Sequence, residues 1–249
     1  MNITIQNHLD STYLKTAEQA GISEKETENN VRQLVQECID EHFVLAMIRP
    51  KFVTMAKKMI SDARSNVTVG TVIGFHEGSY SIVDKLAEAQ QAIADGVDDL
   101  DFVINYNAFI EGDIELVIDE VLQGTKIGLE NGKIVKWIIE IAALNNQQIA
   151  EITRLVHDVV IANFDKKEFS KVFVKSSTGF FKPTNGGPAG ATFEGMQIIK
   201  DNAGALSIKA AGGVRSYEDA VKMIELGVER IGTSSAKKIA EGKPASSDY

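Results

Sequence analysis

The chain predicts an α/β fold closed into one (β/α)8 TIM barrel, and three observations carry that expectation. Eight short apolar segments rich in β-branched residues recur from end to end, and stretches of helical period lie between them. Such alternation implies parallel strands joined by right-handed crossovers. At 249 residues, with no shift of composition to mark a boundary, a single closed barrel is favoured over an open doubly wound sheet.

In chain order the strands are read as ITIQNHL (3–9), FVLAMI (43–48), VTVGTVIG (67–74), LDFVIN (100–105), IVKWIIE (134–140), KVFVK (171–175), LSIKAA (206–211) and RIGTS (230–234). The stretch SIVDKLAEAQQAIADG shows the helical period between them: Ile82, Leu86, Ala89 and Ile93 share a face, and Gly96 closes the helix. After the sixth strand, FFKPTNGGPAGAT (180–192) carries two prolines among glycines and predicts a long loop.

In such a barrel the working residues sit at the carboxyl ends of the strands. Reading those ends selects Asp10, Met47, Asp101, Glu140, Lys175 and Lys209. Side chains alternate along a strand, so Asp101 shares a face with Val103 and Asn105, while Leu100, Phe102 and Ile104 turn to the helices. Lys209 then points inward with Ser207 and Ala211, and Lys175 inward with Phe173. Two lysines and an aspartate converge in one interior. An amine is a nucleophile only when neutral, and burial beside a second ammonium lowers a lysine pKa from about 10.4 towards roughly 7 or 8. Lys209 would be that neighbour to Lys175, with Asp101 holding Lys209 charged. The same residues also fit a structural ion network with no chemistry, or a lysine that snorkels to the rim.

A second constellation suits phosphate. AAGGVRS (210–216) follows the seventh strand, and IGTSSAKK (231–238) leads from the eighth into a short helix beginning near Ser234. Gly212 and Gly213 allow close backbone approach, and this is where barrel phosphate sites recur. Thr178 and Gly179, on the neighbouring loop, would complete the cradle. Taken alone, these residues also fit two tight loops and a capping serine. The formal net charge of -9 argues against nucleic-acid and anionic-membrane partners. No run approaches the roughly 18 apolar residues of a membrane span, and the N-terminus lacks a signal-peptide pattern. Cys38 is the only cysteine, which fits a reduced, cytoplasmic setting. His8, His42, His76 and His157 show no ligand spacing, so no metal is expected. Trp137 reads as packing.

The segments HLDSTYLK, TVIGF, LDFVIN, KWIIE, FVKSSTGF, IKAAGGVRSYEDA and RIGTSS resemble, in order and spacing, the motifs of the deoxyribose-phosphate aldolase family over nearly the whole chain. The two lysine motifs, 34 positions apart, are the most specific. The resemblance implies reversible cleavage of 2-deoxy-D-ribose 5-phosphate to acetaldehyde and D-glyceraldehyde 3-phosphate. It puts Lys175 in the place of the Schiff-base lysine, Lys209 in that of the second lysine and Asp101 in that of the proton-relay aspartate. Asp10 and Thr12 fall on the substrate-hydroxyl pocket, and Gly179, Gly212, Gly213, Gly232, Ser234 and Ser235 on the phosphate cradle. An iminium is its own electron sink, so no cofactor is implied, and the partner is a small sugar phosphate. The sequence does not set the oligomeric state; a homodimer is compatible with it. Three residues depart from the common pattern: Met47, Arg49 and His76 stand where cysteine, asparagine and proline are usual. The tail EGKPASSDY (241–249) reads as flexible, and the resemblance gives its terminal Tyr249 the protonation of the acetaldehyde enamine.

Overall fold

Eight parallel strands close into a barrel in simple sequential order, with β8 pairing back onto β1. They are β1 (Leu9–Tyr13), β2 (Leu45–Ile48), β3 (Thr68–Ile73), β4 (Asp99–Val103), β5 (Ile134–Ile138), β6 (Val172–Lys175), β7 (Ser207–Ala211) and β8 (Arg230–Thr233). The computed structural model describes residues 4–184 and 186–243. Tyr249 and the rest of the predicted tail from 244 onward lie outside the described residues.

The helices used below are α1 (Ala17–Ala20), α2 (Glu24–Glu41), α3 (Val53–Asp62), α4 (Ile82–Ala94), α5 (Tyr106–Glu111), α6 (Ile114–Glu130), α7 (Asn146–Asn163), α8 (Phe193–Asn202), α9 (Tyr217–Leu226) and α10 (Ala236–Ala240). Capping boxes at Thr16/Gln19, Ser23/Glu26 and Asn145/Gln148 start α1, α2 and α7, each satisfying N–H groups that lack an intrahelical acceptor. None of the helices among the described residues is long and apolar enough to cross a membrane.

The alternation expected of β4 holds. Phe102 faces outward and stacks on Trp137 of β5 with ring centroids 4.9 Å apart. Helix α6 approaches them closely at Gly124, where an added Cβ would lie 2.7 Å from the Trp137 ring. Trp137 is fully buried and donates its indole N–H to Thr125 at 3.0 Å.

Two expectations need correction. The first strand does not span 3–9: Ile5–His8 form a 3-10 turn and β1 starts at Leu9. The alternating isoleucines mimic a strand, but pairing with β8 runs from Leu9–Ile231 to Ser11–Thr233, which leaves the preceding turn outside the sheet. The buried face of α4 also differs. Lys85 lies at its centre, fully buried beside Ala89 and Ala92, with Leu86 and Ile93 on the flanks. Lys85 donates to the carbonyls of Gly78 (2.6 Å) and Val103 (2.7 Å) and pairs with Glu120 of α6. The other oxygen of Glu120 accepts the N–H of Asn105 at 2.7 Å, so all of these polar atoms are matched, as burial demands. This pair ties the segment after β3 to the end of β4.

The long loop is present. Between Lys175 and Phe193 the described residues form neither helix nor strand.

Candidate active site

Lys175 ends β6 and Lys209 lies one strand over, in direct register with it. The inward faces of β1, β4, β5 and β8 add Asp10, Asp99, Asp101, Lys136 and Arg230, all of them buried. Asp101 is the hub. Its Oδ2 accepts from Lys175 Nζ at 2.8 Å and from Lys209 Nζ at 3.0 Å, and its Oδ1 accepts from Lys136 Nζ at 2.9 Å. Lys209 also pairs with Asp10 at 2.6 Å, Arg230 grips the other oxygen of Asp10 at 2.6 and 2.7 Å, and Lys136 reaches Asp99 at 2.5 Å.

Four cations and three carboxylates therefore share one interior. With Lys136, Lys209 and Arg230 charged against Asp10, Asp99 and Asp101, the cluster is neutral when Lys175 is the free amine. The pKa directions of Lys175, Lys209 and Asp101 agree, whereas burial raises Asp99 above its ordinary value against the pull of Lys136 and Arg230. Burial pushes Lys175 down to about 8 with the help of Lys209 and Lys136, against the pull of Asp101. Burial acts on Lys209 in the same sense, but Asp10 and Asp101 outweigh it and hold that ammonium above its ordinary value. Burial would raise Asp101; Lys136, Lys175 and Lys209 instead hold its carboxyl well below the usual carboxylate range. Lys175 is the member of the cluster placed to lose its charge near neutrality.

Sequence reasoning brought Lys175, Lys209, Asp101 and Asp10 to one place and missed three neighbours. Asp99 lies one residue before the strand expected from Leu100, whereas β4 starts at Asp99. Lys136 and Arg230 were overlooked although each lies at period two from a residue already selected, Lys136 from Glu140 and Arg230 from Gly232. Asp10 is wholly engaged by Lys209 and Arg230, and Thr12 donates its hydroxyl to the Asp10 carbonyl at 2.9 Å.

At the carboxyl ends of the strands, a cavity of about 1040 Å³ opens among Lys15, His76, Tyr106, Gly179, Phe180 and Arg215. Phe180 meets Phe75 edge-on at 5.0 Å and stacks on His76 at 5.6 Å, while the Arg49 guanidinium lies 4.6 Å from the centre of the Phe75 ring. Of the three departures from the family pattern, His76 lines the mouth and Arg49 packs on Phe75 behind it. Met47, the third, is fully buried.

The glycines expected to hold phosphate lie together at the ends of β7 and β8. Gly212 and Gly213 have φ of 69° and 79°, and a Cβ on Gly213 would lie 2.5 Å from the Ala191 carbonyl oxygen, so side chains are excluded there. Gly212 N–H is taken by the Gly232 carbonyl at 3.3 Å and Ser235 N–H by Thr233 Oγ1 at 3.1 Å. Ser234 is exposed. The last helix starts at Ala236 rather than near Ser234, behind Ser235, whose side chain makes no capping bond. Thr178 and Gly179 follow Lys175 on the loop, and Gly179 has a φ of 80°.

Cys38 is buried and its thiol is pushed up to about 12, chiefly by burial, which makes it inert. Among the described residues no group of three His, Cys, Asp or Glu side chains could hold a metal ion.

No family model matches the chain. It is 37% identical over 94% of its length to the deoxyribose-phosphate aldolase of Caldicellulosiruptor saccharolyticus, covering 96% of that protein. The deoxyribose-phosphate aldolase of Thermococcus kodakarensis is 36% identical over 96% of the chain and 97% of its own length. Among solved structures, the tetrameric deoxyribose phosphate aldolase of Aeropyrum pernix superposes with a TM-score of 0.76 at 30% identity, covering 95% of this chain and 89% of that one.

Proposed function

The chain belongs to the deoxyribose-phosphate aldolase family and is a lyase of that activity; from this premise we propose how its own residues carry the reaction. Lys175 is the nucleophile. The observation that supports this is the ion-paired cluster around Asp101, in which three cations match three carboxylates and Lys175 is the cation left over; Glu140, buried on the Thr178 side, stands outside that cluster.

In the proposed cycle, neutral Lys175 attacks C1 of open-chain 2-deoxy-D-ribose 5-phosphate and the carbinolamine loses water to give the iminium. The C3 hydroxyl then gives up its proton as the C2–C3 bond breaks, and the bonding pair flows into the iminium nitrogen. D-glyceraldehyde 3-phosphate departs and leaves an enamine on Lys175. Protonation at C2 and hydrolysis return acetaldehyde and the free amine. Asp101, ionised throughout, holds Lys175 and Lys209 in register, and protons pass through water at the Asp101–Lys209 pair. Tyr249 keeps the role the family resemblance gives it, protonating C2.

Asp10 and Thr12 serve the substrate hydroxyl side, Asp10 acting also through Lys209. Thr178, Gly179, Gly212, Gly213, Gly232, Ser234 and Ser235 form the phosphate cradle, supported by their common position at the ends of β6 to β8. The setting we propose is cytoplasmic and the assembly a homodimer.

Borohydride reduction in the presence of acetaldehyde, followed by peptide mapping, tests the assignment. Label on Lys175, absent from Lys175→Ala, is expected. Label on Lys209, or on neither lysine, overturns it.

A further inference from the structure

Glu140 stands two residues beyond the end of β5, and the mechanism above does not use it. Its backbone is left-handed (φ 55°, ψ 66°), a conformation that costs a non-glycine residue on the order of 1 kcal/mol or more and persists only where surrounding contacts dictate it. Those contacts are visible. Ile139 N–H donates to the Lys175 carbonyl at 3.0 Å and Ile141 N–H to the Ser176 carbonyl at 2.9 Å, so the chain on either side of Glu140 is stitched to the nucleophile's own strand end.

The side chain is completely buried. Oε2 accepts both from Thr178 N at 3.1 Å and from the Thr178 hydroxyl, while Oε1 has no protein donor among the described residues. Thr178 Oγ1 in turn accepts from Phe180 N at 3.0 Å, and Phe180 is the ring that packs on Phe75 and His76 at the mouth. One carboxylate thus anchors the segment that runs from the nucleophile to the rim.

We propose that Glu140 is a positioning residue with two separable effects: as a hydrogen-bond acceptor it sets the loop through Thr178 and Phe180, which governs substrate capture, and as a charge it tunes the nucleophile Lys175. The first effect follows from geometry, because Thr178 and Gly179 belong to the phosphate cradle while Glu140 itself touches no substrate. The second follows from position, because the hydrogen bonds from Ile139 and Ile141 to the Lys175 and Ser176 carbonyls hold Glu140 beside the strand end that carries Lys175. Burial raises Glu140 to about 7, opposed by the Thr178 hydrogen bonds and by the charge of Lys175. The groups that face it are Lys175 from β6, Thr178 from the following loop and the Tyr106 hydroxyl from α5, whose own pKa is raised first by burial and then by Glu140. Removing the anion leaves the Lys175 ammonium less favoured, so the amine should become neutral at lower pH.

The proposal rests on Lys175 being the nucleophile, and the test separates the two. Glu140→Gln keeps an acceptor for Thr178 and removes the charge; Glu140→Ala removes both. Profiles of kcat/KM against pH are compared for parent, E140Q and E140A with 2-deoxyribose 5-phosphate, alongside borohydride labelling of each. The limb governed by Lys175 should move down by roughly one pH unit in both variants. KM should stay within about threefold of the parent in E140Q and rise at least about tenfold in E140A. A purely structural role would lower Tm and leave the limb in place. An unmoved limb, or equal KM in E140Q and E140A, overturns this inference while label on Lys175 is retained; loss of label from the parent protein overturns the nucleophile assignment instead.

Discussion

Replacing Lys175 with methionine should abolish turnover and make the protein more stable. The side chain is 3% exposed, and burial, Lys209 and Lys136 bring its pKa from 10.5 down to about 8 against the opposing charge of Asp101. The unfolded chain therefore binds a proton that the folded chain holds less tightly. The destabilisation is complete below the folded value and is relieved as pH rises from about 8 towards 10.5. At pH 7 the gap of two and a half pH units corresponds to about 3 kcal/mol, falling to about 1 kcal/mol at pH 9.5. Methionine keeps the length and removes the charge, and Asp101 retains Lys136 and Lys209 as partners. Urea unfolding of parent and K175M at both pH values measures this through the midpoint at constant m. A gain of about 3 kcal/mol at pH 7 raises Tm by roughly 6–12 °C in a domain of this size. A variant less stable than the parent at pH 7 would refute the reasoning. So would a gain that is the same at both pH values, because that gain would come from apolar packing and not from the charge.

Lys209→Leu should move the pH midpoint of the reaction upward by roughly one unit, because a cation that disfavours the Lys175 ammonium is gone; the rate near neutrality falls and partly recovers in alkali. A profile that merely scales down would exclude Lys209 as a tuner. Ser234→Asp should erode the preference for 2-deoxyribose 5-phosphate over 2-deoxyribose at least about tenfold in kcat/KM through like-charge repulsion. An unchanged ratio would put the phosphate elsewhere.

The barrel and its central lysines were legible because both follow from short-range rules. β-Branched apolar runs separated by helical period specify parallel strands, and period two along a strand specifies which residues look inward. The rules fail where the chain satisfies a pattern locally and tertiary structure decides otherwise. Ile3 and Ile5 alternate like a strand in the sequence, yet the register between β1 and β8 leaves Ile5–His8 as a turn. Lys85 sits within an apolar helical stretch, and only the arrival of Glu120 from a helix 35 residues later makes its burial tolerable. No motif announces such a pair.

The charge cluster shows the same limit from the other side. Lys136 was legible in principle, since it stands at period two from Glu140 in the segment IVKWIIE (134–140), which the sequence presents as one strand. What no strand shows by itself is the count. Six of the eight strands contribute one or two charged groups each, and only closure of the barrel turns Asp10, Asp99, Asp101, Lys136, Lys175, Lys209 and Arg230 into a set with one cation in excess. A buried charge is tolerated when it is matched and yields its proton when it is not. The reactivity of Lys175 is thus a property of the closed interior: any substitution that removes a carboxylate from that set makes the amine more readily neutral, and any that removes another cation makes it less so.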